Sequence, residues 1–265
     1  MTAPGTSPGA AALEIDGVTM RIGGLVALSE VSFAVREGAI VSLIGPNGAG
    51  KTTAFNVITG YLRPQAGAIR YRGQALTGLA PERIAARGVV RTFQRTSVFG
   101  GCTVRENVAT ALHLQGRTET WGALLRLPRV GREEATLTRR ADDILDFVGL
   151  RARARELAGN LAHGEQRLLG MAIALAAAPT LLLLDEPAAG LNPRETDGFM
   201  ALVQRIRGRG TTVLLVEHDM KLVMAISDDV VVLNQGRVIA AGAPAKVQHD
   251  PEVVRAYLGQ RRAAG

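Results

Sequence analysis

Two hydrophobic rhythms run along this chain. Residues 13–20 and 31–35 alternate apolar and polar positions, which predicts strands with one covered face. Residues 39–44 (AIVSLI), 181–184, 212–216 and 230–233 are short, unbroken apolar runs. That is the pattern of parallel strands covered on both faces. Short runs at 68–71 and 89–93 predict two more strands. Helical spacing appears over 51–59, 103–114, 133–148, 164–177, 195–207, 220–226 and 251–258. Within 133–148, Leu137, Ile144, Leu145 and Val148 share one face. Residues 164–177 are apolar on most sides, as in a buried helix.

A strand, a glycine-rich turn and a helix follow one another over 39–59, the opening of an α/β unit. The predicted architecture is an α/β core over 13–258, interrupted by a helical block at about 96–179. Residues 115–132, around Trp121, are polar, glycine-bearing and basic, and are expected to form a surface excursion. Residues 1–12 are rich in Ala, Gly, Pro, Ser and Thr and are expected to be a disordered tail, with 259–265 a second tail. No internal repeat is evident, so one such unit is expected.

Composition narrows the function classes. A chain of 265 residues suits one α/β domain with an insertion. With 47% hydrophobic and only 4% aromatic residues, its core must be aliphatic. The net charge is +7, and the only lysines are Lys51, Lys221 and Lys246. The arginines are spread along the chain with no aromatic-interleaved basic run, so nucleic acid is not an expected partner. Cys102 is the single cysteine and cannot form an internal disulfide; it reads as a passive small residue rather than a redox sensor. The amino-terminal segment lacks the basic start and apolar centre of a signal peptide. The longest uncharged stretch, 168–184, is shorter than the roughly 20 residues of a bilayer span and is split by Pro179. Any membrane link is therefore expected through a partner.

The first chemical landmark is Gly45-Pro-Asn47-Gly48-Ala49-Gly50-Lys51-Thr52, followed by Thr53. It matches G-x-x-x-x-G-K-[ST] in full. Binding phosphate needs several backbone N–H groups converging on one point, and glycines allow that approach. The next helix adds its positive end. Lys51 can reach the β- and γ-phosphates, and the Thr52 hydroxyl can ligate Mg²⁺. A chance glycine turn before a lysine would lack the flanking strand and helix. The second landmark is the strand 181–184 ending in Asp185-Glu186. Asp185 would stand beside the metal, and Glu186 could orient and deprotonate an attacking water.

Further landmarks come in a telling order: Gln94 after the strand 89–93, Leu161-Ala162-His163-Gly164-Glu165-Gln166 before the buried helix, Ala188-Ala-Gly-Leu-Asn192 after the acidic pair, and His218 after the strand 212–217. With these in place the chain resembles the ABC ATPase family over about 13–258. The resemblance implies a P-loop NTPase core with an antiparallel β subdomain and an inserted α-helical subdomain, and the cofactors ATP and Mg²⁺. It implies that Gln94 senses Mg²⁺ and water. Leu161, Ala162, Gly164 and Glu165 would belong to a signature loop that meets the γ-phosphate held by an opposite subunit. Ala188 to Asn192 would cross the dimer interface, and His218 would contact the γ-phosphate. Composite sites of this kind need two cassettes. His113 and His249 carry no such pattern.

Three positions depart from the family pattern. Ala162 stands where a serine hydroxyl is usual, Ile22 where an aromatic residue usually stacks on adenine, and Asn192 where aspartate is common. A lost charge-assisted hydrogen bond costs about 1.5–3 kcal/mol, and a lost base stack about 1–3 kcal/mol.

Residues 41–56, 88–94, 185–193, 216–224 and 253–259 closely resemble the branch of ATP-binding subunits serving branched-chain amino acid importers. That branch also includes cassettes assigned to urea and other amides. The implied partners are two integral-membrane permease subunits, a second cassette (a paralogue or a second copy) and a substrate-binding protein. The implied location is peripheral, on the cytoplasmic face of the inner membrane. The segment after Gln94, about 95–101, would together with the helical block form the permease docking groove, with Phe99 either a docking contact or a core or loop-anchoring phenylalanine. A non-transport ATPase of translation or DNA repair would carry two cassettes or a coiled-coil insertion, and a regulatory module without turnover would not need Glu186 and His218.

Overall fold

The computed structural model describes residues 11–92, 98–113 and 128–263. In chain order the elements are β1 (Ala11–Ile22), β2 (Leu25–Arg36), β3 (Ile40–Ile44), α1 (Lys51–Ile58), β4 (Ala66–Tyr71), β5 (Gln74–Ala75), α2 (Pro81–Ala85) and β6 (Val89–Arg91). Then come α3 (Val104–His113), α4 (Pro128–Val148), α5 (His163–Ala176), β7 (Leu181–Asp185), α6 (Pro193–Gly208) and β8 (Thr212–Val216). The chain continues through α7 (Met220–Ile226), β9 (Asp229–Asn234), β10 (Arg237–Gly242), α8 (Pro244–Gln248) and α9 (Pro251–Ala263).

The described residues fall into two compact units. The first takes those of Met1–Arg91, Thr180–Pro187 and Val203–Gly265. It holds two sheets. One is antiparallel, in the order β2-β1-β4-β5. The other runs β10-β9-β3-β8-β7-β6, parallel except for β10 at its edge. The unbroken apolar runs become the inner strands of this second sheet: every residue of β3, β7 and β8 is buried. A continuous aliphatic core joins Leu13, Val35 and Ile69 of the antiparallel sheet to Leu43, Leu183 and Leu214, with Phe55 of α1 fully buried among them.

The second unit comprises the described residues of Thr92–Pro179 and Ala188–Leu202. Its helices bury stripes at helical spacing: Val104, Val108 and Leu112 on α3, Ala141, Leu145 and Val148 on α4, and Leu169, Ala172 and Ala176 on α5. Thr103 and Glu106 cap α3 reciprocally: the Thr103 N–H donates to Glu106 Oε2 at 2.7 Å, and the Glu106 N–H to Thr103 Oγ1 at 3.2 Å. The Thr103 backbone and then its hydroxyl hold the Glu106 carboxyl below its ordinary pKa. Asn107 is buried and bonds both backbone groups of Phe99, at 2.8 and 3.1 Å, while Phe99 as a whole is 61% exposed. Phe99 is thus no core anchor.

Several elements differ from their sequence reading. β2 runs over Leu25–Arg36 rather than 31–35, because a left-handed Glu30 (φ 52°) and register shifts against β1 blur the alternation of its first half. α4 begins at Pro128, inside the expected excursion; proline is well suited to a first helical turn. β10 escaped notice because its hairpin turns on Gln235-Gly236, both left-handed (φ 47° and 75°), without the usual Asn-Gly or Asp-Gly signal. Gln94, Arg95, the remainder of the excursion around Trp121 and most of the amino-terminal tail lie outside the described residues. Among the described residues no helix is long and apolar enough to cross a membrane.

Candidate nucleotide site

The phosphate loop leaves the end of β3, which lies between β9 and β8 in the sheet. Crevices at the carboxyl ends of central parallel strands are where α/β folds bind ligands. Two of its glycines are required by contact. At Gly45 (φ 150°) an added Cβ would lie 2.0 Å from the Leu233 carbonyl oxygen. At Gly50 (φ 105°) it would lie 2.7 Å from Ala27 O and 2.9 Å from Leu28 Cδ2. The Gly236 N–H donates to Ala49 O at 2.9 Å, and the Gly236 carbonyl accepts from Ser29 N at 2.8 Å. The ends of the loop are therefore clamped by β9 and β2, while Asn47 and Gly48 at its middle are exposed. Gly50 caps α1 with no side-chain acceptor, and the first turn carries no acidic residue. The amide donors and positive end of α1 thus face an anion site. Thr52 is exposed and Thr53 half-buried on its first turn.

The ammonium of Lys51 is buried and donates to Gly45 O at 2.6 Å and Pro46 O at 3.0 Å. Burial lowers its pKa from 10.5, against the pull of the nearby Glu186 and, less strongly, Asp185 carboxylates. Lys51 and the acidic pair therefore meet at one place, as the two sequence landmarks require. Asp185 ends β7 and is 2% exposed. Its Oδ2 accepts from Arg91 Nη2 at 2.6 Å, and Arg91 Nη1 donates to Asn56 Oδ1 at 2.7 Å. No signal in the sequence pointed to Arg91 or Asn56.

Glu186 is half-buried and left-handed, with φ 46° and its N–H bonded to Val216 O at 2.9 Å. A non-glycine residue in that region carries strain of about 1–3 kcal/mol, a feature concentrated at functional sites. The bond to Val216 carries the turn after β7 across to the end of β8. His218 lies two residues beyond that end, its side chain 63% exposed and its N–H donating to Glu217 Oε2 at 3.0 Å. Asp219 caps α7 through Lys221 N (2.9 Å) and Leu222 N (3.3 Å), which fixes the chain beside His218. Ile22 is 50% exposed at the tip of the β1–β2 hairpin, beside Leu25 at 78% and Val26 at 43%. The next residue, Ala27, packs its carbonyl against Gly50 and Gly236, so this apolar tip adjoins the phosphate loop. Tyr257 of α9 packs on a cluster containing Ile44. Burial pushes its hydroxyl up to about 12, with the Gly45 backbone pulling the other way.

Leu161, Ala162, Gly164 and Glu165 lie in the second unit, where α5 begins. Leu161 is buried and Ala162 exposed at the N-cap. Alanine has no oxygen to cap with, so only half a capping box forms: the Ala162 N–H donates to Glu165 Oε2 at 3.1 Å. Arg153 Nε holds Glu165 Oε1 at 3.0 Å. At Gly164 an added Cβ would lie 2.6 Å from Glu195 Oε1. Glu195 in turn forms a full reciprocal cap with Asn192, at 2.9 and 3.0 Å. The amide of Asn192 is therefore the N-cap of α6, a role the spacing Asn-x-x-Glu signals. Gly190 lies against His163, and Arg167 Nη2 donates to Ala189 O at 3.2 Å. The crossing loop and the signature loop thus form one packed surface within this unit.

A phosphate loop at the centre of a parallel sheet, with its lysine facing an acidic pair on the next strand but one, defines a P-loop nucleotide-binding cassette. The family pattern for "ABC transporter" matches residues 28–189, and that for "branched-chain amino acid ATP-binding cassette transporter" matches residues 237–263. The chain is 48% identical, over 94% of its length and 98% of the relative's, to the high-affinity branched-chain amino acid transport ATP-binding protein LivG of Salmonella typhimurium. It is 47% identical over the same shares to the corresponding protein BraF of Pseudomonas aeruginosa. A crystal structure of the ADP conformation of an ATP-binding cassette from an ABC transporter superposes with a TM-score of 0.83 at 30% identity, covering 94% of this chain and 99% of that one. The chain belongs to the ABC transporter family of ATP-binding cassettes.

Proposed function

We propose that this chain is the ATP-hydrolysing subunit of an importer for branched-chain amino acids, bound peripherally at the cytoplasmic face of the membrane. The observation that carries the ATPase reading is the meeting of buried Lys51 with the Asp185 and Glu186 carboxylates at the phosphate loop. The substrate reading rests on the match of residues 237–263 to the branched-chain amino acid cassettes and on the relatives' names. The amides of Gly45, Asn47, Gly48, Ala49 and Gly50 and the start of α1 would cradle the phosphates, with Lys51 turning from the loop carbonyls to them. Ile22 would cover the adenine face.

Thr52 and Asp185 supply oxygen ligands, which suit Mg²⁺; Asp185 keeps Oδ1 free of its Arg91 ion pair. Mg²⁺ held there would neutralise charge on the β- and γ-phosphates. Glu186 takes the proton of the attacking water as its oxygen bonds to the γ-phosphorus and the bond to ADP breaks. His218 and Gln94 would hold the γ-phosphate and the water. The surface built from Ala162, Gly164 and Asn192 would close over the nucleotide of a second cassette, a paralogue or another copy. Phe99 would dock a permease subunit.

The test is to tag the Glu186→Gln variant, solubilise native membranes with ATP present and identify the chains that co-purify. Two permease subunits, a second cassette and leucine-stimulated ATPase activity in the wild-type assembly are expected. Permeases of a urea or amide system would redirect the substrate and keep the ATPase. Recovery of ribosomal or DNA-repair proteins without a membrane chain would overturn the transporter.

A further inference from the structure

Arg91 is the most deeply placed guanidinium at the site and none of the roles above uses it. Its side chain is 11% exposed and pairs with Asp185, itself 2% exposed. One arm of the fork holds Asp185 Oδ2 at 2.6 Å, the other Asn56 Oδ1 at 2.7 Å. The guanidinium lies 5.5 Å from the centre of the Phe55 ring. Arg91 Nε is buried with no hydrogen-bond partner among the described residues. Three elements are joined by this one side chain: β6, whose last residue is Arg91; β7, which ends in Asp185; and α1, which carries Lys51, Thr52 and Asn56.

A buried carboxylate needs a partner, and a single hydrogen-bonded oxygen leaves its rotation about χ2 open unless the donor is itself fixed. Asn56 and the Phe55 ring fix the donor here. We propose that Arg91 is a positioning residue for the metal step: it holds Asp185 by Oδ2, so that Oδ1 is presented at a set distance from Thr52, on the helix that Asn56 ties to the same guanidinium. A lysine keeps the charge but offers one point rather than a planar fork, so it can serve Asp185 or Asn56 and not both in register. The inference rests on the ATPase reading above, and extends it to a residue outside the phosphate loop and the acidic pair.

The test compares wild type with Arg91→Lys, Arg91→Gln and Asn56→Ala in the purified full chain. Binding of a fluorescent ATP analogue is measured first without Mg²⁺ and then across a Mg²⁺ titration, with turnover recorded in parallel. Expected for both Arg91 variants is analogue affinity without Mg²⁺ within about twofold of wild type. The Mg²⁺ concentration for half the binding response should rise about tenfold, and Asn56→Ala, which frees one arm, should rise about threefold. An unchanged Mg²⁺ dependence would overturn the proposal. So would an equal loss of affinity without Mg²⁺, which would make Arg91 a brace of the phosphate loop and nothing more. If Arg91→Gln does not fold, Arg91→Lys and Asn56→Ala decide by the same criteria. Failure of wild type to bind the analogue either with or without Mg²⁺ would count against the nucleotide-site reading itself, a result distinct from either.

Discussion

Two helix starts in this molecule face opposite tasks. At the head of α1 the backbone is locked by its surroundings: Gly45 against Leu233, Gly50 against Ala27, Gly236 bonded on both sides, and Lys51 buried. At the head of α5 the N-cap Ala162 is exposed and the shape is held by side chains, with Arg153 on Glu165 and Glu195 beside Gly164. On our reading, the first start completes its own phosphate cradle. The second presents a surface and, on our reading, completes a site only against another cassette. The difference teaches that backbone packing fixes the first helix start, whereas side-chain capping shapes the second, where Glu165 holds the Ala162 amide.

Glu186→Gln separates the two most sharply. It should lower turnover by about 10²–10⁴-fold while leaving ATP binding intact, as measured by steady-state hydrolysis beside analogue binding. Undiminished turnover would remove Glu186 as the base. Gly45→Ala tests the backbone lock. A Cβ 2.0 Å from a carbonyl oxygen at φ 150° cannot be absorbed by a side-chain move, and the variant should lose about 3 kcal/mol or more in urea unfolding. Gly164→Ala meets only the end of the Glu195 side chain and should cost about 1 kcal/mol or less, a contrast that would fail if both variants unfolded alike.

The pH dependence comes from Lys51. Its pKa is lowered in the folded chain by burial, so the ammonium is lost before pH 10.5. Bound phosphates would raise that pKa again, so nucleotide affinity should be full below the lowered value. It should then fall by up to about tenfold per pH unit as pH climbs through it. The same pKa gives folding the opposite trend. The unfolded chain binds more protons in this window, so the Lys51 contribution to stability becomes more favourable as pH rises toward 10.5. Equilibrium binding and urea titrations between pH 7 and 10.5 would read both signs. The smallest effect is expected from Arg153→Ala. Its pairs with Glu165 and Glu156 are exposed and screened by water, so unfolding stability should stay close to that of wild type. Turnover of the assembled transporter should still fall, because Glu165 loses the group that steadies the Ala162 amide.

Much of this was legible before any coordinates. The buried strands 181–184, 212–216 and 230–233 announced themselves because a strand covered on both faces has no polar position to confuse the pattern. The phosphate loop was legible because glycine spacing is a direct record of backbone contact. The hairpin of β9 and β10 was not, since left-handed Gln235 leaves no compositional mark, and neither was the first half of β2, where Glu30 breaks the alternation. Asn192 looked like a weakened aspartate; its amide oxygen serves as a helix cap, for which asparagine is as good.

The linear order of residues by itself determined the class of fold, the phosphate loop, the acidic pair and the candidate roles of Lys51, Asp185, Glu186 and His218, because each is a local pattern tied to one strand end or one turn. Only the tertiary structure decided what stands around them. That Arg91 grips Asp185 across 94 residues of chain, and Asn56 across 35, follows from β6 pairing with β7 beside α1. A pairing of that kind is set by which strands become neighbours in the sheet, a property of packing that no spacing along the chain records.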